Sequence, residues 1–127
     1  MRRVTGIGGI VFKARDPAAQ QAWYRTHLGI DVQPWGGAAL DWVDESGQPV
    51  AGTTAWRVAG GDEDFGPGGP AFMVTYRVAD LAALLAALRA EGCAVADRMD
   101  ESEYGKFGWV VDPEGNKVEL WEPPEGA

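Results

Sequence analysis

The sequence predicts an α+β fold in which two βαβββ modules form a curved, eight-stranded mixed sheet with a cleft. Three observations lead to this prediction. The 127 residues suit one domain with its own core. A series of strand, helix and three strands is followed by a second series of the same kind. Two helix landmarks also recur at nearly one offset, because Asp16 and Asp80 lie 64 residues apart and Gly29 and Gly92 lie 63 apart.

The first predicted module covers residues 4–59 and contains one helix. Asp16 is suited to an N-cap, and Pro17 follows at the first helical position. Gly29 is suited to the end of a helix over residues 16–28. The strands of this module are predicted over residues 7–14, 30–35, 38–44 and 53–58, from their content of Ile, Val, Phe and Trp and the turn residues between them.

The second predicted module covers residues 71–124 and follows a linker over residues 60–70. The linker is rich in glycine, proline and acidic residues, a composition typical of a flexible joint. Asp80 is suited to cap a helix that ends at Gly92. The apolar residues of this helix, Leu81, Leu84, Leu85 and Leu88, have helical spacing. The strands are predicted over residues 72–78, 94–99, 107–111 and 117–122. Each sheet can cover one face with its helix, so the other face is expected to meet its twin or a partner chain as a cleft.

The net charge and hydropathy of the chain indicate which classes of binding partner and which cellular location to expect. The formal net charge is −8, and no basic cluster exceeds residues 1–3. A nucleic-acid partner is therefore not favoured. No apolar run reaches the length of a membrane span, and the first residues do not resemble a signal peptide. The sequence predicts a cytoplasmic protein with no membrane partner.

The stretch from Asp112 to Pro124 is a turn followed by an alternating strand. Val118 and Leu120 point to one face of this strand, and Glu119 points to the other with Trp121. This hairpin resembles the last hairpin of the vicinal oxygen chelate superfamily, the glyoxalase, bleomycin-resistance and extradiol dioxygenase proteins. Residues 12–17 and 23–30 resemble the first strand and helix of that family. The resemblance covers nearly the whole chain and implies the fold already predicted.

The resemblance also directs attention to a metal site. In metal-dependent members of the family, the glutamate at the position of Glu119 commonly binds the metal, together with residues from the first strand of each module. The positions seven residues before the helix caps, where such members carry histidine or glutamine, hold Gly9 and Met73 here. The module-one counterpart of Glu119 is expected near Thr54, and no acid or histidine occurs between residues 48 and 58. A catalytic transition-metal site needs about three protein ligands. The sequence therefore predicts no metal and no other cofactor.

Two basic residues are candidates for ligand binding in place of a metal. Strand parity places Lys13 on the cleft-facing side of the first strand and Arg77 on the matching side of the fifth. Such a pair of cations is suited to bind a ligand carboxylate or phosphate. The resemblance implies a substrate-binding role for the arginine, because an arginine at this position helps to bind substrate in glyoxalase-like enzymes. The alternative is two solvated side chains with packed stems.

Aromatic and apolar residues are the second group of candidates. At the two positions where metal-dependent members carry ligands, Met73 is expected to provide apolar surface and Gly9 to provide open space. The tryptophans on strands expected to line the cleft are Trp42, Trp56, Trp109 and Trp121. They could hold a planar or hydrophobic molecule, or each could be a core residue.

Glu119 is the candidate catalytic residue. In apolar surroundings its pKa would rise, and it could act as an acid or base near neutral pH. Alternatively, it is neutralised by Lys117 or Arg77, or is the relic of an ancestral metal site.

These features lead to three functional hypotheses of different classes. The first is a metal-independent isomerase or lyase that binds a small organic molecule and uses Glu119 as acid or base. The second is a protein that sequesters a drug or metabolite without chemistry. A third is an interaction domain without a ligand, which a cleft closed by packed tryptophans would favour. Members of the family often form dimers, so a homodimer is expected, with the cleft formed within one chain or across two.

Overall fold

The computed structural model describes residues 3–127, and the two residues before Arg3 are outside the described part. It contains two helices and eight strands. In chain order these are β1 (Val4–Ala14), α1 (Pro17–Leu28), β2 (Gly37–Val43), β3 (Pro49–Gly60), β4 (Phe72–Val78), α2 (Leu81–Ala90), β5 (Ala94–Val95), β6 (Asp100–Ser102), β7 (Gly105–Val111) and β8 (Lys117–Glu122).

All strands belong to one mixed sheet, which confirms the predicted fold class. The order across the sheet is β2-β3-β1-β4-β8-β7-β5, and β6 pairs with β7. Strand β1 is parallel to β3, and β4 is parallel to β8. The two halves join where β1 pairs antiparallel with β4. Each half therefore has the same central arrangement, a strand that leads into a helix and pairs in parallel with a later strand.

The core divides into clusters on the two faces of the sheet. Phe12 and Trp56 pack in one cluster with Tyr24 of α1. The second cluster packs the leucines of α2 against Leu120 of β8. Val11, the neighbour of Phe12, belongs to a third cluster. Since neighbouring residues of a strand point to opposite faces, both helices cover one face and leave the other available for a site.

The distribution of the strands differs from the prediction. Residues 30–35 form no strand, although Val32 is buried in the α1 cluster. The Val32 amide donates to the carbonyl of Ile30 at 2.9 Å, and Gly36 at a φ of 97° turns the chain. Ile30 and Val32 are apolar because they pack under the helix. The predicted strand over residues 94–99 is reduced to two residues, and β6 is an additional short strand.

Helix α2 begins at the predicted cap. The Asp80 carboxylate accepts a hydrogen bond from the Ala83 amide at 3.1 Å, and Leu81 and Leu85 behind it are buried. Within residues 3–127, neither helix has the length and apolar character needed to cross a membrane.

Replacing Asp80 with alanine is expected to lower the free energy of unfolding by about 1 kcal/mol, because the Ala83 amide loses its acceptor. Urea denaturation measures the change. Asp97→Ala removes an exposed carboxylate without a capping bond and serves as the control. Equal stability of the two variants would show that the cap has no net effect.

Candidate functional site

The face of the sheet opposite the helices contains a cavity of about 690 Å³. Strands of both halves line it, so the cavity is formed within a single chain. Its aromatic wall consists of Trp35, Trp56, Tyr104, Phe107, Trp109 and Trp121. Its charged residues are Asp41, Arg57, Glu63, Asp64, Arg98, Asp100, Glu103, Lys117 and Glu119. A volume of this size suits a small organic molecule.

A row of paired residues crosses the sheet beneath the cavity. Ala55 of β3 pairs with Gly9 of β1, which pairs with Thr75 of β4. Thr75 pairs in turn with Glu119 of β8, which pairs with Trp109 of β7. This register brings together the carboxylate and its two hydrogen-bond donors from three neighbouring strands.

Glu119 is buried in the cavity wall and is held by neutral donors. The residue is 9% exposed. One carboxylate oxygen accepts from the Thr75 hydroxyl at 2.8 Å, and the other accepts from the Trp109 indole N–H at 3.0 Å. Each oxygen keeps acceptor capacity, because a carboxylate has about four lone-pair sites. The carboxylate is therefore fixed in position and can still meet a ligand.

The two bases expected to neutralise this carboxylate lie elsewhere. The Lys117 ammonium donates to the backbone carbonyl of Asp64 at 3.2 Å. The Arg77 guanidinium donates to the carbonyls of Thr53 and Ala127 at 2.9 and 2.8 Å. Among the residues that the structure describes, the buried carboxylate forms no salt bridge.

The pKa of Glu119 is raised above its ordinary value. Burial is the main cause, since desolvation disfavours the charged form. The hydrogen bonds from Thr75 and Trp109 oppose the rise in pKa, as does the positive charge of Arg57. Glu63 contributes a small further rise. Glu119 can therefore keep its proton at a pH where an exposed glutamate has lost it.

The raised pKa makes stability depend on pH in a definite direction. The unfolded chain loses the Glu119 proton near the ordinary pKa of 4.5, whereas the folded chain retains it to higher pH. The contribution of this group to stability is therefore full below pH 4.5 and is lost as the pH rises through the folded pKa.

Glu119→Gln cannot ionise, so its free energy of unfolding should increase relative to that of the unmodified protein across this pH interval. Urea denaturation at a series of pH values measures the difference between the two proteins. Taking the difference cancels the contributions of the other carboxylates. Parallel curves for the two proteins would contradict this assignment.

The module-one counterpart of Glu119 is Arg57, not Thr54. The helix caps set a 64-residue offset, which relates Val11 to Thr75. Thr75 pairs with Glu119, and Val11 pairs with Arg57. The expectation near Thr54 depended on matching two tryptophans, and the strand register corrects it. A cation therefore occupies the position that is related by the repeat to the buried carboxylate.

Arg57 is held by the segment that the sequence predicts as a flexible linker. Its Nη1 donates to Glu63 at 3.0 Å, and its Nη2 donates to the other oxygen of the same carboxylate. This contact lowers the pKa of Glu63. Phe65, two residues on, is 1% exposed and anchors the segment in the core. The sequence patterns did not indicate Arg57, Glu63 or Phe65 as site residues. An aromatic residue within the glycine-rich linker and the alternation of β3 were the available signals.

Three of the predicted binding residues line the cavity and pack against other residues on the cavity side of the sheet. Met73 and Trp109 share the buried cluster beneath the cavity. Trp121 also lines the cavity, stacks on Phe107 with a 6.1 Å centroid distance and donates to the Tyr104 carbonyl at 2.8 Å. These bonds leave ring surface, not indole N–H groups, for a ligand.

Trp56 borders the cavity but packs mainly with the helix-side core. Its ring centroid lies 5.6 Å from that of Phe12 and 5.1 Å from that of Tyr24. Its burial is explained by this packing against α1.

Lys13, Trp42 and Arg77 are not part of the wall of this cavity. The Lys13 ammonium lies 4.9 Å from the centre of the Phe65 ring. The Arg77 guanidinium lies between Trp42 and Trp121, at 5.7 and 5.5 Å from their ring centres. Each has a structural contact behind or beside the wall, and their binding of a ligand stays a prediction.

The residues at the family's metal positions do not fit a divalent cation. Gly9 leaves no space for a ligand, because a Cβ there would lie 2.0 Å from the carbonyl oxygen of Ala55. This contact corrects the expectation of open space at Gly9. Met73 offers only a thioether, and Arg57 brings positive charge to the same cavity. Within residues 3–127, no group of three or more His, Cys, Asp or Glu side chains is arranged to hold a metal.

Comparison with known proteins identifies the family through sequence and the fold through structure. The family described as "Glyoxalase-like domain" matches residues 9–121, which is most of the chain. No curated protein sequence matches the chain.

Several solved structures share the fold at low identity. A methylmalonyl-CoA epimerase from Mycobacterium tuberculosis is 20% identical with a TM-score of 0.65, over 98% of this chain and 91% of that one. A variant of the Streptomyces coelicolor methylmalonyl-CoA epimerase, in complex with 2-nitronate-propionyl-CoA, is 20% identical with a TM-score of 0.66, over 94% and 98%. A glyoxalase/bleomycin resistance protein/dioxygenase superfamily member from Vibrio splendidus 12B01 is 15% identical with a TM-score of 0.55, over 89% and 95%.

Proposed function

The chain belongs to the glyoxalase-like domain family, and from this premise we propose that it is a metal-independent isomerase or lyase acting on a small organic molecule. Glu119 transfers the proton as base and then as acid. The observation that carries the proposal is a buried carboxylate, held by two neutral donors, in the wall of a 690 Å³ cavity.

The surroundings of Glu119 suit proton transfer. An efficient catalytic acid or base has a pKa close to the working pH, and burial moves the pKa of this carboxyl in that direction. Thr75 and Trp109 fix both oxygens, so the group is oriented before a ligand arrives. Trp109, Trp121 and Met73 supply ring and thioether surface for the apolar part of the ligand.

A second candidate, sequestration of a cationic drug or metabolite, has a specific observation in its favour. Each base of the cavity wall is paired with an acid of the wall, as Arg57–Glu63, Lys117–Asp64 and Arg98–Asp100. Among the described residues, Asp41, Glu103 and Glu119 then remain without a salt bridge, which leaves the wall negative. Lys13 and Arg77 are not among the residues of that wall, so they do not contact a cation bound against it. The open cavity disfavours the third candidate, an interaction domain without a ligand.

Two probes and one variant separate the candidates. Phenylacetone is an aromatic ketone with an acidic C–H, and N-methylquinolinium is a planar aromatic cation. Binding is followed by calorimetry, and proton transfer is followed by NMR as deuterium exchange into phenylacetone in D2O. An acid–base role predicts that Glu119→Gln loses exchange and keeps phenylacetone affinity. A sequestering role predicts no exchange and a loss of quinolinium affinity in the same variant.

A homodimer is also proposed, because the edge strand β2 and the end of its neighbour β3 have exposed apolar residues. Leu40, Trp42 and Val43 of β2 and Val50 of β3 are 37–61% exposed. Exposed sheet edges of this kind favour association. A cytoplasmic location and the absence of nucleic-acid and membrane partners stay predictions of the sequence.

A further inference from the structure

We propose that Arg57, positioned by Glu63, binds the oxygen anion that forms when Glu119 removes a proton next to a carbonyl group. The substrate class is therefore a carbonyl compound with an acidic α C–H. This inference rests on the proposed acid–base role of Glu119 and adds a second catalytic residue and a substrate class to it.

The first support is position. Arg57 and Glu119 are related by the internal repeat and project to the same face of the sheet. Their strands, β3 and β8, are separated by β1 and β4. Three strand spacings amount to about 14 Å between backbones, which leaves room for a small carbonyl unit between the two side chains. Both side chains line the one cavity, so a single ligand can contact both.

The second support is the state of the guanidinium. Glu63 takes one N–H from each terminal nitrogen of Arg57. A guanidinium has five N–H groups, so three remain. Within residues 3–127, no side chain or backbone acceptor takes these three. The bidentate pair fixes the plane of the guanidinium, whose side chain is 31% exposed. Arg57 is thus a fixed and permanently charged donor directed at the cavity.

The proposed step needs no metal and no further reactant. One oxygen of Glu119 takes the α proton of the substrate. The electron pair of the broken C–H bond forms a C=C bond, and the carbonyl π pair moves to oxygen. The resulting enolate oxygen accepts hydrogen bonds from Arg57. Return of the same proton from Glu119 to carbon reverses the step. In D2O the carboxyl proton exchanges with solvent before it returns, so the atom delivered to carbon is a deuterium.

The nitronate of phenylnitromethane tests the role of Arg57, because it is a stable planar anion that stands in for the enolate. Phenylacetamide is the neutral probe of similar shape. Arg57→Met is expected to weaken nitronate binding about 10- to 100-fold, as expected for the loss of a charge-assisted hydrogen bond, and to change phenylacetamide binding less than twofold. Arg57→Lys should recover part of the nitronate affinity, since lysine restores the positive charge but not the planar set of guanidinium N–H donors. Affinities are measured by calorimetry, and circular dichroism confirms that each variant is folded.

The controls separate this inference from the proposal on which it rests. Arg89→Met removes the same charge from α2, outside the cavity, and should leave both affinities unchanged. Glu63→Asp keeps both charges but shortens the side chain that positions Arg57, and should weaken nitronate binding several-fold even if Arg57→Met fails to fold. Equal losses for the nitronate and phenylacetamide, or no loss of nitronate affinity, would overturn the role of Arg57. If Glu119→Gln still loses exchange in that case, the acid–base function stands without Arg57.

Discussion

Replacing Glu119 with glutamine should lower the rate of deuterium exchange into phenylacetone about 10²- to 10⁴-fold, the usual contribution of a positioned acid or base. The affinity for phenylacetone should stay within about twofold, because glutamine preserves the size and polarity of the side chain. NMR gives the exchange rate and calorimetry gives the affinity.

The local structure accommodates this substitution. The amide oxygen of glutamine can accept from the Trp109 indole N–H, and its amide group can donate to the Thr75 hydroxyl, which is able to accept as well as donate. No buried polar atom therefore loses its partner. Glu114→Gln, in the exposed turn before β8, is the matched control and should leave exchange unchanged. Exchange at an undiminished rate in Glu119→Gln would remove this residue from the mechanism.

The fold could be predicted from the sequence because its signals are local and repeated. Asp16 and Asp80 cap helices in the structure, as their spacing indicated. The α+β class and the eight-stranded mixed sheet are confirmed. Individual strands were predicted wrongly where apolar residues pack in the core but their backbone does not pair with another strand. Val32 is buried under α1 in an irregular segment, and the sequence does not distinguish this from a strand.

The candidate site could be predicted only in part, because its assembly depends on strand register. Glu119 was found because alternation within one strand fixes its face. Arg57 was missed because its relation to Glu119 requires the pairing of β1 with β3 and of β4 with β8. Those pairings are non-local, and β1 contains register shifts between Val4 and Gly9 where it meets β4. Counting residues along the chain cannot reveal such shifts.

The linker over residues 60–70 is a second part of the site that could not be predicted from local sequence. Its glycine and proline content indicated a flexible joint, yet Phe65 within it is part of the core beneath the cavity. A single buried aromatic residue can fix a loop whose composition suggests mobility. Glu63 reaches Arg57 from this anchored segment, so the linker contributes to the candidate site.

Gly9→Ala is expected to lower the free energy of unfolding by about 3 kcal/mol or more, the upper range for overpacking. An added Cβ would lie 2.0 Å from the Ala55 carbonyl oxygen and 2.8 Å from the Ala55 carbonyl carbon. Both atoms belong to the backbone of β3, so no side-chain rotation can relieve the contact. For a chain of this size the expected fall in Tm is about 10 °C or more, and thermal and urea denaturation measure it.

Gly6→Ala is the matched control in the same strand, because a Cβ there meets no atom within 4 Å and Gly6 has no positive φ. It should leave stability unchanged or raise it by about 0.4–1 kcal/mol by restricting the unfolded chain. Similar stabilities for the two variants would show that β3 can move away from β1 at little cost. Such movement would carry Arg57, two residues beyond Ala55 on β3, away from Glu119 on the other half of the sheet. The close approach at Gly9 therefore contributes to the distance between the two charged groups through the spacing of β1 and β3. Gly9→Ala should weaken nitronate binding where the folded protein tolerates it, whereas Gly6→Ala should not.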